Sequence, residues 1–492
     1  MAQLTRRWRH PFGRVIAAAL LLAALACVGA GVPPQALANT PAAASGCQLD
    51  SAKGDIQHVI YIIFDNTHFL RDNPNVPSDL EQMPHLLNFI RGNGTLLTND
   101  HTVLISHTAN GILTSLTGVY SDRHGQAVSN SYRYFKADGT TASSSSFKYW
   151  TDLVDDTGTP PADPLPNMVN GDSGTPKNAP APWVPYTRAG CDFGAVALAN
   201  VVLENTGTGP AGDITKVFGN PSPEFSEAQT SNAAPAGTAA RALAQTDFVG
   251  MAIHCGAGGG ICAGNAHARP DLLPDEPGGY NGFQGLFGTK YVNPAITGGS
   301  AVLNNLFGQP ITDPFGQNGF PGFDGLFAST TLAYVAQMQE AGIPVTFGYI
   351  SDAHDQHGVA GEIHITKGPG EQAYVDQLKS YDDAFAKFFD RLAADGITKK
   401  NTLFVFTVEE GDHFVGSQPT PANCDGVNTP CTYSLVGEIN GNLTGLLATQ
   451  QGITTPFTVH ADMAPTIYIT GNPSRTAESR GTSAARSGSS PR

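Results

Sequence analysis

The chain has 492 residues, 40% of them hydrophobic, and a net charge of −15. That length, even shortened by an export signal, buries a large core in one big domain or two smaller ones. The acidic balance excludes a nucleic-acid-binding surface, although an acidic chain still accepts an anionic phosphate where metal ions reverse the local charge.

Arg6, Arg7, Arg9 and Arg14 flank the start of an apolar run over 15–32, and Ala36-Leu37-Ala38 then supplies the small-x-small pattern of a cleavage site. Residues 1–38 read as a signal peptide, which makes the mature protein secreted or periplasmic. A membrane anchor is the competing reading. Gly29 and Gly31 inside an Ala-rich run argue for cleavage instead, and Ala24-Leu25-Ala26 before Cys27 matches a lipid-attachment site poorly. No later run is long and apolar enough to span a bilayer, so no transmembrane segment is expected after signal removal. Residues 39–55, rich in Ala, Pro and Ser, read as a flexible N-terminus.

Cleavage leaves Cys47, Cys191, Cys255, Cys262, Cys424 and Cys431, an even number in an exported chain, which favours disulfides. Cys255/Cys262 and Cys424/Cys431 are close pairs that would staple short loops, with Cys47/Cys191 left over. Spacing leaves the connectivity open. No CxxC is present to suggest a zinc knuckle.

Residues 58–64 are β-branched, aromatic and continuously apolar, the pattern of a strand buried on both faces, and end abruptly at Asp65-Asn66. A helix follows from Met83-Pro84, stopped at Gly92 and Gly94. A short β-like piece over 94–103 leads to Ser106-His107-Thr108, and 109–116 reads as a helix, which puts Thr108 at its N-terminus. Residues 130–330 are rich in Gly, Pro, Ser, Asn and Thr and read as a large irregular insertion or cap; surface decoration is the other reading. Within it, 282–287 is echoed at 322–327, too few copies for a repeat array.

Regular structure returns with a helix over 332–341 stopped by Gly342, then a second buried-type strand over 344–350 that ends at Asp352. The 371–394 segment is a long amphipathic helix: Tyr374, Leu378, Tyr381, Phe385, Phe388 and Leu392 recur at helical steps, with Gly396 past its end. A third strand, 402–407, runs into Val408-Glu409-Glu410-Gly411-Asp412-His413. Strands alternating with helices predict an α/β fold, a mostly parallel sheet flanked by helices. Residues 56–471 would form the catalytic domain, and 472–492, rich in Arg and Ser, a disordered tail.

Three strands thus end in acids: Asp65, Asp352, and Glu409 with Glu410. Sites in open α/β sheets form at the carboxyl ends of strands. His354 and His357 join the second cluster, and Asp412 and His413 the third. Carboxylates gathered with imidazoles repel unless a cation sits among them, and Asp, Glu and His are ligands for zinc or manganese. A lone Asp after a strand is more often a turn or cap; three clusters at equivalent strand ends shift the balance toward metal. Thr108, at a strand-to-helix turn, offers a hydroxyl for attack on phosphorus and a helix N-terminus for phosphate oxygens, where a simple helix cap is the plain alternative.

Segments 58–66, 83–94, 106–125 and 352–358, with the helix and strand that follow the last, resemble the alkaline-phosphatase-like superfamily, nearest to its phosphodiesterase and phosphoesterase branches. The most specific is Thr117-Gly118-Val119-Tyr120-Ser121-Asp122-Arg123-His124-Gly125, with Thr108 at the upstream spacing where relatives keep the nucleophile. The resemblance covers 58–125 and 329–414 but not the middle. It implies two divalent metal ions, zinc first, with manganese or calcium also suited to an acid-rich set. One would be held by Asp65, Thr108, Glu409 and one of Asp412 or His413; the other by Asp352 and His357, with His354 competing. Asn66 and Asn110 would steady the phosphate. Thr108 would attack a small phosphate mono- or diester, and water would hydrolyse the phospho-threonine. Sulfatase relatives need Cys or Ser in place of Thr108.

This sequence departs from the family in three places. Relatives place Asp-His directly after the third strand, where Glu409-Glu410 stands here. The spacing from Asp352 to His357 is five rather than the common four. The only late histidine is His460, read either as the missing ligand or as an ordinary residue of a truncated chain. Two further functions follow as alternatives: a phospholipase-C-like esterase on lipid head groups, and a catalytically inactive exported binding protein.

Overall fold

A computed structural model describes, apart from isolated gaps and single residues, positions 47–97, 108–118, 132–135, 141–144, 182–271, 283–354, 367–409, 414–434 and 437–438. The expected signal peptide and C-terminal tail lie outside them. The first half of the chain contributes β1 (His58–Phe64), α1 (Asp79–Gln82), α2 (Pro84–Asn93), α3 (Thr108–Thr117), β2 (Tyr132–Phe135), β3 (Thr141–Ser144), α4 (Val184–Arg188), β4 (Phe193–Val196), α5 (Asp213–Phe218), α6 (Pro223–Ala233) and α7 (Ala239–Phe248). There follow β5 (Met251–Cys255), β6 (Arg269–Pro270), β7 (Gln284–Phe287), α8 (Thr289–Thr297), α9 (Ala328–Glu340), β8 (Val345–Ile350), α10 (Gln372–Ala394), β9 (Thr402–Val408), β10 (Phe414–Val415) and β11 (Gly437–Glu438).

Seven of these strands form one sheet in the order β6-β7-β5-β4-β8-β1-β9, while β2–β3 and β10–β11 pair separately. The class is α/β, as expected, but the sheet is mixed rather than mostly parallel. Strands β4, β8, β1 and β9 run parallel; β5 pairs antiparallel with β4, β7 with β5 and β6 with β7. The physical reason lies in the segment read as an irregular cap. Its described part supplies β4, β5, β6 and β7, two to five residues each, too short for a periodic signal against their Gly- and Pro-rich connections. The 282–287 echo also diverges, forming strand β7 in the first copy and a single 3₁₀ turn, Phe323–Gly325, in the second.

Strand β1 lies between β8 and β9 and is almost wholly buried. Its alternate residues feed two faces. On one, Phe64 packs against Phe385 of α10, which also meets Phe406. On the other, Tyr61 stacks on Phe347 at 5.1 Å, and Tyr186 of α4 covers Phe193 and Phe347. The stripe on α10 is the expected one: Tyr374, Leu378, Tyr381, Phe385, Phe388 and Leu392 are all buried, and each Leu or Phe among them contributes about 1.5–3 kcal/mol by transfer from water. Strand β9 is the sheet edge among the described residues and only partly covered; Leu403 is 49% exposed.

Helix ends are satisfied locally or by neighbours. Ser78 and Glu81 form a capping box on α1. Pro84 opens α2, whose first N–H groups are capped from α10: the buried Asp382 carboxylate accepts from the His85 and Leu86 N–H groups at 2.7 and 3.3 Å. The disulfides are Cys255–Cys262 and Cys424–Cys431, the two close pairs, and Cys47–Cys191, which settles the connectivity that spacing left open. They are compatible with an oxidising, exported setting. Among the described residues no helix is long and apolar enough to cross a membrane.

Candidate functional site

Parallel strands in register end together, and that brings the acids to one corner. Phe64 of β1 pairs with Ile350 of β8 and Val408 of β9. The ladder continues one step further: the Asp65 N–H donates to the Ile350 carbonyl at 3.0 Å, and the Glu409 N–H to the Phe64 carbonyl at 2.9 Å. Ser351, Asp65 and Glu409 therefore stand side by side across three strands, with Asn66 and Asp352 one step on. All five are buried; Asp65, Asp352 and Glu409 are 9%, 5% and 1% exposed. The three acidic strand ends read from the sequence thus converge.

The carboxylates are held by specific donors. The Tyr349 hydroxyl donates to Asp65 Oδ2 at 2.5 Å. Asn66 Nδ2 donates to Asp352 Oδ2 at 3.1 Å, and the His354 N–H to Asp352 Oδ1 at 2.7 Å. Asn66 reaches Asp352 because its backbone turns sharply out of β1, at φ 44°, a left-handed conformation that Asn tolerates better than most residues. Burial raises the Tyr381 phenol well above its ordinary range, and the negative charges of Asp352 and Asp65 push the same way. Tyr381 donates to the Ser351 carbonyl at 2.9 Å, so it forms part of the floor beneath this corner.

Helix α3 docks on the same corner through a glycine. A Cβ on Gly111 would lie 2.0 Å from the Glu409 carbonyl oxygen and 2.7 Å from its Oε2. Only a residue without a side chain permits this approach, and it seats the first turn of α3 against Glu409. Thr108, the first residue of α3, is half-buried. Asn110 is fully buried and accepts from the Thr114 hydroxyl at 3.3 Å.

His354 is buried, stacked on Tyr374 at 4.5 Å and Phe414 at 5.7 Å. Its Nδ1 lies 2.5 Å from the Lys367 carbonyl, which can only accept. The neutral ring then carries its lone pair on Nε2, the tautomer in which histidine binds metals. His357, Glu410, Asp412, His413 and His460 lie outside the described residues.

The corner suits a hard divalent cation in donor chemistry: three buried carboxylates and further side-chain oxygens. Two buried oxygens there, Asn66 Oδ1 and Ser351 Oγ, meet no hydrogen-bond partner among the described residues. The described ligands do not close a site unaided, since no group of three or more described His, Cys, Asp or Glu side chains is placed to hold a metal ion.

No protein-family model, curated protein or solved structure matches the chain. The functional reading therefore draws on the corner itself.

Sequence reasoning did not find Tyr349, Ser351 or Gly111. Tyr349 and Ser351 gain their meaning only from the pairing of β8 with β1, which is non-local. Gly111 carried one local signal, a glycine inside a helix, where it costs about 1 kcal/mol relative to Ala and so marks a close contact.

Proposed function

We propose that the protein is a metal-dependent hydrolase of phosphate esters in which Thr108 is the nucleophile and Asp65, Asp352 and Glu409 are metal ligands. The observation that supports this reading is that three buried acidic residues stand at adjacent ends of β1, β8 and β9, with the helix led by Thr108 packed against one of them. Such a cluster is costly to bury unless positive charge joins it. The resemblance to the alkaline-phosphatase-like superfamily points to the same corner and the same threonine. Of the two histidines near Asp352, His357 is the proposed ligand, with His354, whose Nδ1 is tied to the Lys367 carbonyl, as its competitor. Asp412, His413 and His460 remain the further ligands this reading proposes.

When bound, two divalent ions, zinc first, would neutralise the carboxylates and lower the barrier to ionising the threonine hydroxyl. Thr108 Oγ1 loses its proton and attacks phosphorus. The bond from phosphorus to the ester oxygen breaks and the alcohol leaves with a proton. Water then cleaves the phospho-threonine, which returns Thr108 and releases phosphate or a phosphomonoester. The N–H groups of the first turn of α3 would steady the phosphoryl oxygens, with Asn66 beside them. Export places substrate and enzyme outside the cytoplasm.

Mass spectrometry tests the covalent step. Acid quenching during turnover of bis-nitrophenyl phosphate is expected to leave one nitrophenylphosphoryl group on the peptide containing Thr108. Turnover without that adduct, and at an undiminished rate in Thr108→Ala, would contradict the nucleophile.

A second reading, a phospholipase-C-like esterase, draws on one observation. An open cleft of about 280 Å³ is lined by Phe69, Leu70, Leu80, Leu87 and Leu96 together with Arg71 and Glu81. An apolar cleft of this kind suits the lipid portion of a substrate. Faster hydrolysis of a short-chain phosphatidyl ester than of bis-nitrophenyl phosphate, reduced in Leu96→Asp, would support it; equal rates would not.

A further inference from the structure

Tyr349 lies on β8, level with Ile63 of β1, and its side chain shares a sheet face with Ile63 and, two residues on, Asp65. A diagonal step of this kind is too long for most side chains but within reach of an aromatic one. The hydroxyl spans it and donates to Asp65 Oδ2 at 2.5 Å, with both residues buried. A buried phenol needs an acceptor somewhere, so the bond alone is consistent with ordinary packing. Its partner, however, is the strand-end carboxylate at the centre of the row Ser351–Asp65–Glu409. An aspartate side chain is free to turn about its last bond; the tyrosine removes that freedom and fixes which way the second oxygen faces. The backbone beneath is equally constrained: the Thr331 hydroxyl donates to the Tyr349 carbonyl at 2.6 Å, and the Asp65 N–H is held by Ile350.

We infer that Tyr349 is a positioning residue, which orients the Asp65 carboxylate for a divalent cation. The inference rests on the proposed function above. Carboxylate ligands are commonly held in this way, and loss of the holding group weakens metal binding about 10- to 100-fold.

The test is metal binding rather than turnover. Metal-stripped full-length mature protein is titrated with zinc and with manganese by calorimetry, beside Tyr349→Phe, Asp65→Asn, the double variant and Thr331→Val, with thermal melts of each metal-free protein. Tyr349→Phe keeps the ring and is expected to bind metal about 10- to 100-fold more weakly. Thr331→Val disturbs the same strand without touching the hydroxyl and is expected to bind as the wild type does. In the Asp65→Asn background, Tyr349→Phe is expected to add nothing, because the two act as one unit. Equal affinity in wild type and Tyr349→Phe overturns the role of Tyr349 and leaves the proposed function standing. An equal loss in Thr331→Val shows a strand defect and overturns it too. No binding by the wild type overturns the proposed function and this inference together.

Discussion

Around the antiparallel half of the sheet, several acids are tied to a histidine, a phenol, an arginine or a lysine of a neighbouring element. His254 is fully buried with Nδ1 3.2 Å from the Asp271 carboxylate, while Nε2 donates to the Val201 carbonyl at 2.8 Å. Glu224 takes the Tyr291 hydroxyl at 2.7 Å and Arg269 at 3.3 Å, and Lys290 sits between Glu227 and Asp247 at 2.5 and 2.8 Å. In the parallel half, Asp65 accepts from a phenol, and Asp352 from an amide and a backbone N–H. The first arrangement ties helices and strands of the fold together, whereas the second stands at the strand ends to which the proposed function assigns the chemistry.

Substitutions that separate the halves should therefore separate stability from activity. The largest effect is expected from Thr108→Ala, a loss of about a thousandfold or more in phosphoester hydrolysis with the melting temperature nearly unchanged. In the other half, His254→Ala leaves Asp271 buried without its partner, a cost of about 3–5 kcal/mol read by urea unfolding. At temperatures where this variant stays folded its turnover should match the wild type; a matching loss of turnover would erase the distinction between the halves.

Gly111→Val tests the seam between α3 and Glu409. Overpacking there should cost about 1–3 kcal/mol, and the displaced Thr108 should lose activity well beyond what the unfolded fraction explains. If turnover falls only in step with folding, the contact is packing and nothing more.

The smallest effect concerns pH. Burial, then Asp247, raises Glu227 to about 7 from an ordinary 4.5. Between those values the folded state binds more protons than the unfolded chain, so this group lowers stability as pH rises from about 4.5 to about 7. Glu227→Gln should flatten that slope in melting temperature while leaving the pH profile of hydrolysis alone. A changed hydrolysis profile would tie this cluster to the site.

Much of the parallel half was legible in the sequence. Strands 58–64 and 344–350 and the helix over 371–394 carry long local patterns, and each appears within a residue or two of its expected place. Asp65, Asp352 and Glu409 were visible as polar residues that break apolar runs. The antiparallel half was not legible, because strands as short as β4 and β6 show no period and their direction follows from pairing. Helix α9 starts at Ala328, ahead of the expected 332, with no side-chain cap on Phe327 to announce it. Tyr349 and Gly111 were missed for a shared reason: each is defined by a contact across elements far apart in sequence.

The most direct test of the central claim is hydrolysis of nitrophenyl phosphate and bis-nitrophenyl phosphate by the purified mature protein, metal-stripped and then resupplied with zinc or manganese. The account predicts turnover that appears with metal, vanishes with chelator, and is lost in Asp65→Asn but kept in Asp271→Asn. Absence of turnover with every metal, or turnover indifferent to chelator, would contradict it.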